Sequence, residues 1–149
     1  MSVDIVRVAG PECTILDEAL LLRAEPVHRQ LRPNLDADYV AKMKRVVRQG
    51  AEMALAVDGG DVLGVAVFRL FENTHVGLRC YLDDLVTDES RRSAGVGHAL
   101  VDWLEREARA RGCACVDLES GVQRAAAHRF YFREGYIIPS FSFRKSFSA

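Results

Sequence analysis

The residues best placed to do chemistry are Arg92-Ser93-Ala94-Gly95-Val96-Gly97-His98. A β-type apolar run, Tyr81 to Thr87, leads into them, and a helical run, Val96 to Ala110, leads out. Two glycines one residue apart, with an arginine three residues before the first, thus stand where a strand turns into a helix. The first N–H groups of a helix have no carbonyl one turn back to bond and carry partial positive charge. Glycine keeps a Cβ out of the way of a phosphate approaching that backbone. The chemistry indicated is a pyrophosphate cradle. A mononucleotide P-loop would require Lys-Ser/Thr after the last glycine, where His98-Ala99 stand. A dinucleotide fingerprint would require a third glycine at Leu100. What fits is Arg/Gln-x-x-Gly-x-Gly/Ala, met by Arg92, Gly95 and Gly97.

Something must hold that turn in place. Val3 to Val8 reads as a first strand. Thr14 with Asp17 opens a helix whose apolar positions are Ile15, Leu16, Ala19 and Leu20, ending before Pro26. Asp36 caps a second helix with Tyr39, Val40, Met43 and Val47 on one face, closed by Gly50. Met53–Val57 is a buried-type strand, Asp58-Gly59-Gly60-Asp61 a hairpin turn, Val62–Phe71 the next strand and Gly77–Thr87 a third. Val96, Leu100, Trp103, Leu104 and Ala108 form the core stripe of the helix after the glycines. Cys113–Leu118 is a strand reached through that helix, hence parallel to its neighbour. Arg124–Arg133 is a last helix, and Ile137-Ile138 and Phe141–Phe147 are the last strands. The order β-α-α-β-β-β-α-β-α-β-β describes an α+β, or mixed α/β, fold: a mixed, mostly antiparallel sheet flanked by helices, in a single domain over residues 1–149.

Composition narrows the classes. A net charge of −1 gives no general affinity for polyanions, so nucleic acid is not expected as a partner. No apolar run is long enough to span a membrane, and the N-terminus lacks the basic and apolar regions of a signal peptide. Both point to the cytoplasm. Cys13, Cys80, Cys113 and Cys115 form no Cys-x-x-Cys pair and read as buried reduced thiols; the histidines show no metal-binding spacing, and no metal is expected.

The glycine turn resembles the coenzyme A pyrophosphate loop of the GNAT N-acetyltransferase superfamily, and the element order matches its fold. Ala127-His128-Arg129-Phe130-Tyr131-Phe132-Arg133-Glu134-Gly135-Tyr136 is similar to the superfamily's second signature, Ala-x-x-Phe-Tyr-x-x-x-Gly-Phe. That tail, with Ser140-Phe141-x-Phe143-x-Lys145, looks like the C-terminal part of aminoalkylphosphonate N-acetyltransferases. The resemblance implies acetyl-CoA as cosubstrate and a small-molecule amine as acceptor. It implies that Leu85, Val86 and Thr87 pair with the pantetheine arm, and that Arg91, Arg92, Ser93, Ala94, Gly95, Val96, Gly97 and His98 surround the pyrophosphate. Superfamily members are often dimers, which leaves a homodimer open.

The same resemblance assigns Tyr131 to protonation of the leaving thiolate, work that suits a neutral phenol. The superfamily often carries asparagine seven residues earlier, where this chain has Arg124, a substitution that admits a charged contact to coenzyme A. A base is also needed for the amine. Asp83 and Asp84 stand where glucosamine-phosphate acetyltransferases, which this segment also resembles, carry an acidic pair; in a regular strand the two face opposite sides. Asp83 is the first choice, Asp84 the second, and Glu119, at a strand end, the third. Two rivals stay open: an N-acetyltransferase acting on protein or peptide amines, and a non-catalytic coenzyme A-binding module on the same fold.

Overall fold

The computed structural model describes residues 2–148. The chain divides into two compact units, 1–118 and 119–149. The first contains β1 (Asp4–Ala9), α1 (Glu18–Leu31), α2 (Tyr39–Arg48), β2 (Ala51–Asp58), β3 (Asp61–Asn73) and β4 (Gly77–Thr87). A 3-10 turn (Glu89–Arg91), α3 (Val96–Ala110) and β5 (Cys115–Leu118) follow. The sheet order is β1-β2-β3-β4-β5. The first four strands are antiparallel and β5 runs parallel to β4, as the intervening α3 requires.

Strand alternation sorts the core into two layers. Met53, Leu55, Val65, Val67 and Val86 pack with Leu21, Ala24, Val27, Tyr39, Met43 and Val47 of α1 and α2. Ala54, Ala56, Ala66, Phe68, Cys80 and Leu82 pack with Val96, Leu100, Leu104 and Ala108 of α3. The second face is rich in small residues, so α3 lies close to the sheet. It lies closest at Gly64, where a Cβ would come within 2.9 Å of Val96 Cγ1 and of Leu100 Cδ1.

Several boundaries differ from expectation. Helix α1 runs through Pro26 to Leu31. A proline inside a helix costs roughly 3 kcal/mol, but Leu21, Ala24, Val27 and His28 bury a continuous face across it. Its cap is Asp17, which accepts from Leu20 N at 2.9 Å, while Ile15 bridges to Ala9. Helix α2 is capped by Asp38, which accepts from Ala41 N; Asp36 pairs with Arg45 instead. Cys80 is buried, but Cys113 and Cys115 are only partly so and Cys13 is exposed.

The second unit contains α4 (Ala125–Arg133). Neither of the strands expected after it forms: residues 137–148 carry no strand. Ile137, Ile138, Phe141, Phe143 and Phe147 are exposed. Apolar alternation decides which face a strand buries, but a strand also needs a hydrogen-bonded neighbour, and the pattern does not supply one.

Candidate active site

The glycine turn is built from its approach. Asp88 closes the end of β4: its N–H donates to Leu63 O at 2.8 Å, and its carboxylate accepts from Ser90 N and Ser90 Oγ. Gln30 of α1 reaches across, donating to Asp88 Oδ1 at 3.1 Å and accepting from Glu89 N at 2.9 Å. These bonds hold the Asp88 carboxyl below its ordinary range, Gln30 contributing most. Arg92 is then extended, Ser93 has φ 65° and Gly95 has φ 82°. Gly95 is the N-cap of α3, with no side chain capping the helix and no acidic residue in its first turn. A Cβ at Gly95 would meet nothing within 4 Å. The left-handed backbone therefore calls for glycine, and the helix start opens onto free space. Arg92, Ser93, Ala94 and His98 are exposed, and Arg91 lies 3.9 Å from Asp61.

Strand β4 supplies the adjoining edge. It pairs with β5 from Arg79 to Leu82 and then continues to Thr87 paired with β3 only, so β5 leaves the edge of residues 83–87 uncovered. Leu85 packs toward α3 and Val86 toward α1 and α2.

The acidic pair does not alternate as expected. The β3–β4 register steps from Val67↔Asp84 to Phe68↔Leu82, leaving Asp83 as an extra, bulged residue. The bulge puts both carboxylates on the α1 side of the sheet. Asp83 takes both Nε (2.6 Å) and Nη2 (2.8 Å) of Arg69. Asp84 Oδ2 lies 2.7 Å from His28 Nε2, and Oδ1 accepts from Arg32 Nε at 2.8 Å. Burial alone would push the Asp84 carboxyl up; the hydrogen bond and charge of His28, then those of Arg32, outweigh it and hold Asp84 below the usual range. A carboxylate so held is a poor proton acceptor and a good cation seat. Arg32 also lines a cavity of about 370 Å³ with Pro33, Asn34, Leu35 and Lys42.

In the second unit, Tyr131 stacks edge-on against Phe130 and Tyr136, with centroids at 5.3 and 5.8 Å. Burial pushes its phenol up against the smaller opposing effect of Arg124, so it is a protonated donor at neutral pH. Arg124 is the N-cap of α4 but makes no side-chain capping bond, and Glu119 is exposed just after β5. Among the described residues no cluster of His, Cys, Asp or Glu could hold a metal ion.

The residues that sequence reasoning missed are the partners of the acidic pair: His28, Arg32 and Arg69, with Tyr39 behind His28. Ending α1 at Pro26 placed His28 outside any helix. Continued through the proline, the stripe Leu21, Ala24, Val27, His28 shows a titratable residue on an apolar face, and that was the available signal.

Residues 18–136 match the Acetyltransferase (GNAT) family, and the chain belongs to that family of acyltransferases. It is 33% identical over 136 residues to the uncharacterized N-acetyltransferase YhdJ of Bacillus subtilis (strain 168), covering 80% of this chain and 87% of that protein. It is 34% identical over 93 residues to the aminoalkylphosphonate N-acetyltransferase of Salmonella typhimurium (strain LT2), covering 62% of this chain and 60% of that one. Among solved structures, the fold is similar to that of AAC(6')-Iy in complex with the bisubstrate analogue CoA-S-monomethyl-acetylneamine. The TM-score there is 0.81 at 14% identity, with both chains fully covered. It is equally similar to the ribosomal-protein-alanine N-acetyltransferase of Brucella melitensis, with TM-score 0.81, 17% identity, and 99% and 100% of the two chains covered.

Proposed function

We propose that this chain is one catalytic domain that transfers an acetyl group from acetyl-CoA directly to the amine of a small molecule, an aminoalkylphosphonate or an amino sugar. The observation that carries the reading is the junction of β4 and α3. An uncapped helix start, opened by left-handed Gly95, adjoins a strand edge that β5 leaves uncovered at residues 83–87. The family match runs across both units, which supports a single domain. The Salmonella relative's name supports the acceptor class.

The residues fit coenzyme A. The first-turn N–H groups of α3, with Arg92 and the backbone through Gly97, would hold the pyrophosphate. The backbone of Leu85, Val86 and Thr87 would take the amide-bearing arm, one N–H polarising the acyl carbonyl. Arg91 and Arg124 would add positive charge, and His98 a ring N–H. Bound there, acetyl-CoA supplies the acyl group and a thiolate leaving group. The amine nitrogen attacks the carbonyl carbon, the new C–N bond replaces the C–S bond, and Tyr131 gives its proton to sulfur. Asp83 is occupied by Arg69 and Asp84 is held ionised, so the ammonium proton leaves through water. Glu119, exposed just after β5, is the remaining candidate base, tested by Glu119→Gln in the same assay.

The proposed place of work is the cytoplasm; no described helix is long and apolar enough to cross a membrane. The exposed apolar side chains of residues 137–147 favour a homodimer, checked by light scattering.

The test is acetyl-CoA-dependent thiol release with aminoalkylphosphonates, amino sugars, polyamines and peptides. Turnover with a small amine is expected, and Tyr131→Phe should cut kcat about a hundredfold or more while leaving acetyl-CoA affinity intact. Binding without turnover of any amine would make the chain a coenzyme A-binding module. Turnover of peptides alone would move the acceptor to protein.

A further inference from the structure

The two oxygens of Asp84 meet partners of opposite kind. Oδ2 is 2.7 Å from Nε2 of His28, which is 1% exposed and cannot leave. Oδ1 is 2.6 Å from Nη2 of Arg32, whose side chain is half exposed and can. The His28 ring is held from behind, where the Tyr39 hydroxyl lies 2.8 Å from Nδ1. Burial first, then the charges of Glu25 and Asp84, push the Tyr39 phenol up against the smaller pull of Arg29. The phenol keeps its proton and bonds Nδ1, fixing the ring. Nε2, 2.7 Å from a carboxylate oxygen that only accepts, carries a proton and donates it to Asp84. The chain runs from Tyr39 through His28 to Asp84, linking α2, α1 and β4.

We infer, resting on the proposal that this chain acetylates a small amine, that Tyr39 and His28 are positioning residues for Asp84. Asp84 Oδ1 and the Asp83 carbonyl then seat the acceptor's ammonium in exchange for Arg32. Arg32 Nη2 already bonds both oxygens, with the Asp83 carbonyl at 3.1 Å. An ammonium is a compact charge with three donors and suits such a convergent pair. The buried half of the network keeps the seat anionic and aimed; the exposed half is exchangeable. The titratable and charged groups facing the seat are His28 and Arg32 from α1, and Arg69 of β3 with its partner Asp83. No proton is transferred to Asp84 in this step.

The full chain is assayed with 2-aminoethylphosphonate as acceptor probe, acetyl-CoA affinity is measured separately, and the Asp84 carboxyl is titrated by carbon-13 NMR. His28→Leu removes the Nε2 donor; His28→Gln can return an N–H to the same place. His28→Leu should raise acceptor KM about tenfold with kcat within about twofold, and move the Asp84 midpoint up by about one unit. Acetyl-CoA affinity should be unchanged, and His28→Gln should recover most of both effects. Asp84→Asn, which leaves the histidine in place, should give a similar rise in acceptor KM and guards against His28→Leu failing to fold. An unmoved Asp84 midpoint in His28→Leu overturns the positioning role. Equal losses in His28→Leu and His28→Gln, with weakened acetyl-CoA binding, make the network merely structural and also overturn it. If the parent chain binds acetyl-CoA but acetylates no small amine, the proposed function and the ammonium seat fail together; the Asp84 midpoint then decides the positioning role alone.

Discussion

Gly64 is where the packing of α3 on the sheet can be tested with one methyl group. Its φ is not in the left-handed region, so alanine is allowed on conformational grounds. By itself, Gly64→Ala should stabilise the chain by about 0.4–1 kcal/mol through the unfolded state. The contacts reverse that sign. The added Cβ would lie 2.9 Å from Val96 Cγ1, 2.9 Å from Leu100 Cδ1 and 3.1 Å from the Val86 carbonyl oxygen. Leu100 can turn its end away, but a short β-branched valine cannot, and a β4 carbonyl cannot move without the strand. Overpacking of this kind costs about 1–3 kcal/mol; mid-range values leave a net loss of about 1.3 kcal/mol. For a chain of this length that is a fall in Tm of about 3–5 °C. The direction of relief is also defined. Val96 is the first residue of α3 and adjoins Gly95, so crowding at Val96 pushes on the helix start that the proposed function assigns to pyrophosphate. Gly64→Ala should therefore weaken acetyl-CoA binding about threefold to tenfold, and Val96→Ala placed on top should return part of both losses. Thermal unfolding and equilibrium titration with acetyl-CoA, run as a double-mutant cycle over Gly64 and Val96, measure this. A Gly64→Ala variant at least as stable as the parent, or a cycle with no coupling, would refute the reasoning that α3 is wedged against the sheet at this point.

Three further outcomes follow from other sites. Gly95→Ala puts a Cβ on a residue at φ 82° where no atom crowds it, so its cost is backbone strain of about 1 kcal/mol. It should also weaken acetyl-CoA binding more than it lowers Tm suggests, and unchanged affinity would remove Gly95 from the phosphate cradle. The folded Asp84 carboxyl titrates below its unfolded value, so its contribution to stability is present above the unfolded pKa and is lost as pH falls through the folded one. Asp84→Asn should accordingly flatten the dependence of unfolding free energy on pH between about pH 5 and pH 2; an unchanged slope in urea titrations would contradict it. Glu52, 3% exposed, accepts from Arg7 Nη1 at 2.7 Å and from Arg111 Nη1 at 2.8 Å, so one buried carboxylate joins β1, β2 and the end of α3. Glu52→Gln should cost about 1–3 kcal/mol in calorimetry, less than a fully buried pair because both arginines are partly solvated.

What the sequence made legible was local. The span of α3 and its glycine start, the Gly59-Gly60 hairpin and the limits of β4 each follow from a period or a turn residue within a few positions, and each lies where the pattern put it. What stayed hidden depended on partners distant along the chain. Around Pro26 the stripe Leu21, Ala24, Val27, His28 is visible, but not the packing partners on β2, β3 and α2 whose contacts outweigh a lost hydrogen bond. Nothing near Phe141 shows whether a neighbouring strand is present. The bulge at Asp83 is the sharpest case. By period two, Asp83 and Asp84 belong on opposite faces; one extra residue against Val67 and Phe68 turns both toward α1. There His28 and Arg32, 56 and 52 positions away, claim one of them. Residue types and the resemblance had offered Asp83, Asp84 and Glu119 as acid–base candidates, but which groups the first two bond is set by distant partners. Those partners hold Asp84 as an anion fixed between a buried histidine and an exposed arginine.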